Sequence, residues 1–189
     1  MTSGNHERRY QGGADCLRSA ERMARLEIDR VVTLSTEGLT SPRVLDIGTG
    51  AGLFAEAFAA RGCPVAGIDP NGDLLNVARR LVPDAKFREA RAEAIPFANG
   101  SFDVTFLGHV LHETDDMVAA LGEARRVSTA RVVVLEWPYV REEHGPPLEH
   151  RLKTEVILDM ARQAGLDHVE HLKLTHMDLY RMPVGPRGI

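Results

Sequence analysis

A chain of 189 residues with 43% hydrophobic and 26% charged side chains has the length and balance of one globular domain with a sizeable core. Its formal net charge of −4 argues against a nucleic-acid partner held through phosphate contacts. Cys16 and Cys63 stand alone, which suggests neither a disulfide framework nor a thiolate zinc site. No stretch approaches the ~20 apolar residues of a membrane span, so a cytoplasmic protein is expected.

In chain order, residues 1–13 are polar and glycine-containing. From Ala14 to about Thr36, Leu17, Met23, Leu26 and Val31 recur at roughly helical spacing, with Ser19 as a candidate N-cap. This helical extension, residues 1–41 with the polar start, is expected to pack over the domain of residues 42–189 as a lid or buttress. "GLTSPR" breaks the helix and "RVLDIG" starts a strand of the continuously apolar kind found in parallel sheets. "LFAEAFAAR" puts Leu53, Phe54, Ala57 and Phe58 on one helical stripe, ended by Gly62. "PVAGID" is a second strand. "NGDLLNVARRL" follows as a helix capped by Asn71, with Leu74, Val77, Ala78 and Leu81 on one face.

A third strand is predicted at "KFREA" and a fourth at "FDVTFLGH". Met117, Ala120, Leu121, Ala124 and Val127 mark a helix, "RVVVLEW" a fifth strand, and "TEVILDMARQAG" a helix stopped by Gly165. Two strand candidates, "DHVEHLKL" and "MDLYRMPV", close the chain without a helix between them. The alternation predicts an α/β fold: one doubly wound, mostly parallel sheet with an antiparallel pair at its C-terminal edge.

In such sheets a ligand sits beyond the carboxyl ends of the strands, at the topological switch point. The first strand ends in "DIGTGAG", where Gly48, Gly50 and Gly52 bare their backbone amides to close approach. The plain alternative is a tight strand-to-helix turn without a ligand. The glycines run G-x-G-x-G rather than the dinucleotide fingerprint G-x-G-x-x-G, with Leu53 in place of its third glycine. Asp46, two residues before the loop, repels a pyrophosphate and attracts an ammonium or sulfonium. Asp69 ends the second strand where an acid accepts from ribose hydroxyls; its alternative role, helix cap, is already filled by Asn71. The pattern points to a cationic nucleoside.

"VLDIGTGAG", "GIDP", "AEAIPFANGSFDVTF" and "GHVLHE" together resemble the successive motifs of class I S-adenosylmethionine-dependent methyltransferases, in the branch that includes ubiquinone/menaquinone-biosynthesis methyltransferases. The likeness runs from about residue 43 to residue 137. It implies a Rossmann-like methyltransferase fold and S-adenosylmethionine as cofactor, leaving S-adenosylhomocysteine as product. Asp46 then meets the methionine end, and Gly48, Thr49, Gly50 and Gly52 form the loop beneath it. Asp69 takes the ribose hydroxyls and Pro70 lies against the adenine. Ala92 and Glu93 fall at the adenine edge, and Gly108 and His109 border the methionine portion and the reacting methyl. Arg91 stands where the family often has Asp, which removes that side-chain contact to the adenine amino group; a backbone contact from Ala92 does not depend on it.

The transfer is an in-line displacement that draws most of its rate from positioning. An O–H or N–H acceptor also calls for a general base, and His109 and His112 are the candidates, with Glu113 adjoining; both histidines equally fit a strand-to-helix turn. Two histidines three apart lack the further ligands zinc needs, so no metal is expected. In "WPYVREEHGPPLEHR", Trp137 and Tyr139 offer apolar walls, Pro146 and Pro147 stiffen the path, and Arg141, His144 and Arg151 offer charge to an anionic acceptor; a plain solvated connection fits as well. With no large insertion, the expected acceptor is a small molecule, and a homodimer is allowed. The leading expectation is a methyltransferase. The alternatives are a non-catalytic nucleoside-binding accessory protein on the same scaffold and, less favoured by Asp46 and the glycine spacing, a nicotinamide-dependent oxidoreductase.

Overall fold

A computed structural model describes residue 13 and residues 17–185. Seven strands form one sheet: β1 (Val44–Ile47), β2 (Val65–Asp69), β3 (Lys86–Glu89), β4 (Phe102–Gly108), β5 (Ser128–Glu136), β6 (Glu170–Lys173) and β7 (Asp178–Pro183). They lie in the order β3-β2-β1-β4-β5-β7-β6. β1 pairs in parallel with β2 and β4, β2 with β3, and β4 with β5, while β7 runs antiparallel to β5 and to β6. The expected C-terminal antiparallel pair is therefore present, with β7 inserted between β5 and β6.

Every residue of β1 is buried, as a central strand covered on both faces requires. Helices α3 (Leu53–Ala60), α4 (Gly72–Leu81), α5 (Met117–Val127) and α6 (Thr154–Gln163) supply those covers. On one side Phe54 and Phe58 pack against Phe106 with ring centroids 4.7 and 5.4 Å apart. On the other, Ala120, Leu121, Ala124 and Val127 close over Val132, Val134 and Leu107. Asn71 caps α4 as expected, its side chain accepting from the amides of Asp73 and Leu74 at 3.0 and 3.2 Å. The buried face of α4 is Leu74, Leu75 and Ala78. Val77 is only half-buried and Leu81 is 41% exposed, so the stripe is rotated from the predicted one.

The N-terminal extension is two helices where the periodicity predicts one. α1 (Ala20–Arg25) starts at Ser19, whose hydroxyl accepts from the Arg22 amide, and α2 (Ile28–Thr36) follows. The break is at Glu27, which adopts φ +44. Leu26, Val31 and Val32 on either side of it are fully buried against Phe58, Val104 and Phe106. A straight helix could not aim both halves at that cluster. Residues 1–12 and 14–16, with Cys16, lie outside the described residues, whereas Cys63 is buried, which pushes its thiol up. No helix among the described residues is long and apolar enough to cross a membrane.

Candidate functional site

β1 has β2 on one side and β4 on the other: the chain winds outward through β2 to β3, then returns across the sheet to β4 and winds the other way. That switch point opens a cavity of about 990 Å³ beyond the carboxyl ends of the strands, at the upper end of the range for small-molecule sites. Of the predicted positions, Asp46, Gly48, Thr49, Gly50, Asp69, Pro70, Ala92, Glu93, Gly108, His109 and His112 all border it. Gly52 does not. A Cβ there would stand 2.9 Å from Ala78 Cβ and 3.1 Å from its Cα, so this glycine lets α3 pack on α4 rather than flooring the cavity.

The loop after β1 turns through three left-handed glycines, Gly48, Gly50 and Gly52, at φ +67, +52 and +77. Two buried acids hold it. Asp46 Oδ2 accepts from Thr49 Oγ1 at 2.7 Å and from the Ala55 amide at 3.1 Å. Burial outweighs these bonds, and the Asp46 carboxyl is pushed up to about 7, with Asp69 adding a little in the same direction. Asp69 Oδ2 accepts from the Gly50 amide at 2.9 Å and Oδ1 from the Asn71 amide at 2.8 Å. Its carboxyl is also raised, again by burial first. Asp69 is thus both a loop brace and a cavity acid, each oxygen retaining further acceptor capacity.

Toward β3, Glu93 accepts from the Asp115 amide at 2.8 Å, and Arg91 pairs with Asp115 and lies 3.5 Å from Glu93. Arg91 therefore fastens this rim to the segment after β4. Toward β5, Gly108 leaves no space for a side chain, since a Cβ would meet the Phe106 ring at 2.8 Å. His109 follows at φ +59. Its ring stacks on Trp137 at 4.8 Å between centroids, and its Nε2 lies 3.2 Å from Met177 Sδ. A guanidinium only donates, so the 3.3 Å contact from Arg22 to His109 Nδ1 fixes that nitrogen as the acceptor. Burial first, then Arg22 and His112, hold this imidazole well below the usual histidine range. With both nitrogens engaged, His109 is built as a neutral wall and does not suit the base role.

His112 differs. It sits in a 3-10 turn, Leu111–Glu113, and its Nδ1 lies 3.0 and 2.9 Å from the two carboxylate oxygens of Glu136. Glu136, at the end of β5 and 1% exposed, also accepts from the amides of His112 at 3.1 Å and Trp137 at 3.3 Å. Sequence reasoning missed Glu136 because nothing in "VVVLEW" says which strand end its side chain will meet. Arg22 and Leu17 from the N-terminal extension border the cavity too. Arg18 reaches across to the Ala51 carbonyl at 3.3 Å and to the Glu56 carboxylate.

The segment after β5 corrects the anionic-acceptor expectation. Arg151 is buried and donates to the carbonyls of Pro138, Val140, His144 and Pro146, so it clamps the loop instead of facing a ligand. Its guanidinium also lies over Trp137 at 5.5 Å. Arg141 and Tyr139 are exposed, Tyr139 lying under the Lys153 ammonium, and His144 is 3.4 Å from Glu21. Pro146, Pro147 and His150 do line the cavity, together with Trp137.

Comparisons with known proteins agree with this geometry. Residues 45–133 match the family described as "Methyltransferase domain". The chain is 36% identical over 92 residues to a demethylmenaquinone methyltransferase of Chlorobaculum parvum, covering 48% of this chain and 38% of that one. It is 37% identical over 117 residues to a demethylmenaquinone methyltransferase of Thermus thermophilus, covering 58% and 53%. The chain thus spans about half or less of the length of these relatives. In fold it is similar to a crystal structure of a SAM-dependent methyltransferase from Aquifex aeolicus, with a TM-score of 0.79 at 19% identity, covering 90% of this chain and 96% of that one.

Proposed function

Because residues 45–133 match the methyltransferase-domain family, we propose that the chain is an S-adenosylmethionine-dependent methyltransferase acting on a small molecule. One observation carries the reading: a buried carboxylate, Asp46, borders the cavity with its charge held back by burial. A ligand cation placed beside it supplies the compensation that the surrounding protein does not. A pyrophosphate at the same place adds two further negative charges to those of Asp46 and Asp69. The residues present therefore fit a cationic nucleoside better than a dinucleotide.

In this reading Asp46 faces the methionine end, and the glycine loop at Gly48, Thr49 and Gly50 approaches the cofactor by backbone. Asp69 accepts from the ribose hydroxyls, and Pro70, Ala92 and Glu93 form the adenine side. Gly108 and His109 border the methyl. The cofactor supplies an electrophilic methyl on a sulfonium; the chain supplies orientation. Strands in a sheet lie ~4.8 Å apart, so the β2 and β5 ends are separated by three steps, ~14 Å. The cofactor half then lies over β1 and β2, and the acceptor half over β4 and β5.

Calorimetric titration with S-adenosylmethionine, S-adenosylhomocysteine and NADH tests the reading. Binding of the first two, weakened in Asp69→Ala, is the expected result. Binding of NADH alone, or no binding by a folded chain, overturns it.

A further inference from the structure

His112 and Glu136 come from different strand ends, and the fold brings them together at the acceptor half of the cavity. Glu136 is an acceptor with both oxygens within 3.0 Å of His112 Nδ1, so the ring proton resides on Nδ1 and the basic lone pair on Nε2. The backbone amides of His112 and Trp137 hold the carboxylate in place from two sides. His112 borders the cavity, while Trp137, Pro146 and Pro147 give the same half an apolar wall. A buried carboxylate orienting an imidazole is the arrangement that lets a histidine take a proton and stabilises the imidazolium formed.

From this juxtaposition we infer that His112 is the general base for a protic acceptor, a hydroxyl on an apolar ring-bearing molecule, with Glu136 as its positioning residue. The inference rests on the methyltransferase reading above. In the step, the acceptor O–H bond breaks and its proton passes to His112 Nε2. The oxygen electron pair forms the new bond to the methyl carbon, and the carbon–sulfur pair stays with sulfur, leaving a neutral thioether. Glu113 Oε1, 3.8 Å from Nε2 and partly open to solvent, helps bear the imidazolium. The other charged and titratable groups around the pair are His109 at the end of β4, Arg22 of α1 beyond it, and Tyr180 and Asp178 of β7 on the Glu136 side. A thiol acceptor, ionised at mildly alkaline pH, has no need of this base.

That contrast gives the experiment, run on the full chain with S-adenosylmethionine and two probes of the same ring, 1-naphthol and 1-naphthalenethiol, at pH 8. His112→Gln is expected to lower kcat for the naphthol about 100-fold or more while changing the thiol rate less than about threefold. Glu136→Gln should cost about tenfold or more in naphthol kcat with KM little changed, and Glu136→Asp should recover part of it. Affinity for S-adenosylhomocysteine should stay within about threefold in all three variants. Long-range proton–nitrogen spectra of histidine-labelled wild type, with His112 assigned by difference, should show the Nδ1–H tautomer. Equal losses on both probes, methylation of the thiol alone or of neither probe by a chain that binds S-adenosylhomocysteine, or an Nε2–H tautomer overturns the assignment. A chain that does not bind S-adenosylhomocysteine overturns the methyltransferase reading itself, and the spectra distinguish that failure by still reading the His112–Glu136 pair.

Discussion

Asp46→Asn tests the charge argument on which the cofactor reading turns. The Asp46 carboxyl is raised to about 7 in the folded chain by burial, against about 3.9 for an unperturbed aspartate. A carboxyl raised on folding binds more protons in the folded state, so stability is greatest below the unfolded value and is lost as pH rises toward 7. At about 1.4 kcal/mol per pH unit, ionised Asp46 costs the folded chain about 4 kcal/mol, of which about 3 kcal/mol is lost between pH 5 and pH 8. Urea unfolding at pH 5, 6, 7 and 8 should show that decline as the difference between the wild type and Asp46→Asn. Asp46→Asn should lose that component, keeping the smaller decline due to Asp69 and the opposing gain from His109, whose depressed imidazole favours the fold as pH rises through the unfolded histidine range. Ligand binding carries the opposite slope. If the cation needs the ionised carboxylate, the apparent affinity for S-adenosylmethionine tightens about 25-fold from pH 5.5 to pH 7.5 through Asp46, the ligand's sulfonium staying charged throughout. The variant should bind weakly with little pH dependence. Parallel binding profiles for the wild type and the Asp46→Asn variant would refute the assignment of Asp46 to the cation.

Asp69→Ala should weaken cofactor binding by about 1–3 kcal/mol, the loss when hydroxyls lose a charged acceptor, measured by calorimetry; an unchanged Kd removes Asp69 from the site. Gly50→Val should still fold, at a cost of about 1–2 kcal/mol for its left-handed φ, yet fail to bind cofactor, because its added atoms enter the cavity between Leu17 and Leu74; retained binding makes the loop a plain turn. Gly52→Val should instead lower stability by about 3 kcal/mol, since its added atoms meet Ala78 at left-handed φ, and a wild-type urea midpoint contradicts the packing role given to it. Arg151→Ala removes the donor shared by four loop carbonyls, of which Pro138 keeps the Val140 amide, and should cost about 2–4 kcal/mol, with rapid proteolysis within residues 138–150; an equally resistant loop refutes the clamp.

Most of the sheet was legible because its strands are locally marked. β1, β2, β4 and β5 are apolar runs that end at glycine or an acid, and Asn71 and Ser19 announce the helices they cap. Helical spacing cannot reveal a change of direction inside a continuous pattern. The α1–α2 break at Glu27 depends on Leu26 and Val31 reaching one distant cluster, which is a tertiary demand. The glycine loop was legible as a loop, but its three glycines serve different ends. Gly50 opens to the cavity, and Gly52 accommodates a helix drawn from further along the chain.

The same limit governs the site. Asp46, Asp69 and His112 could be picked out because each stands at a strand end beside a turn, where local sequence and cavity position coincide. Glu136 and Arg151 could not, because their partners are set by pairing between strands and by the path of a loop. Gly108 lies beside Leu135 in the β4–β5 register, so the residues just beyond, His112 in its turn and Glu136 at the strand end, are carried to the same edge. A register slip of one residue would turn Glu136 to the other face of the sheet and leave His112 without its carboxylate. The pairing that builds the core is therefore also what selects the histidine to which a base role can be assigned. His109, only three residues away, is consigned by that same pairing to Arg22, Met177 and the face of Trp137.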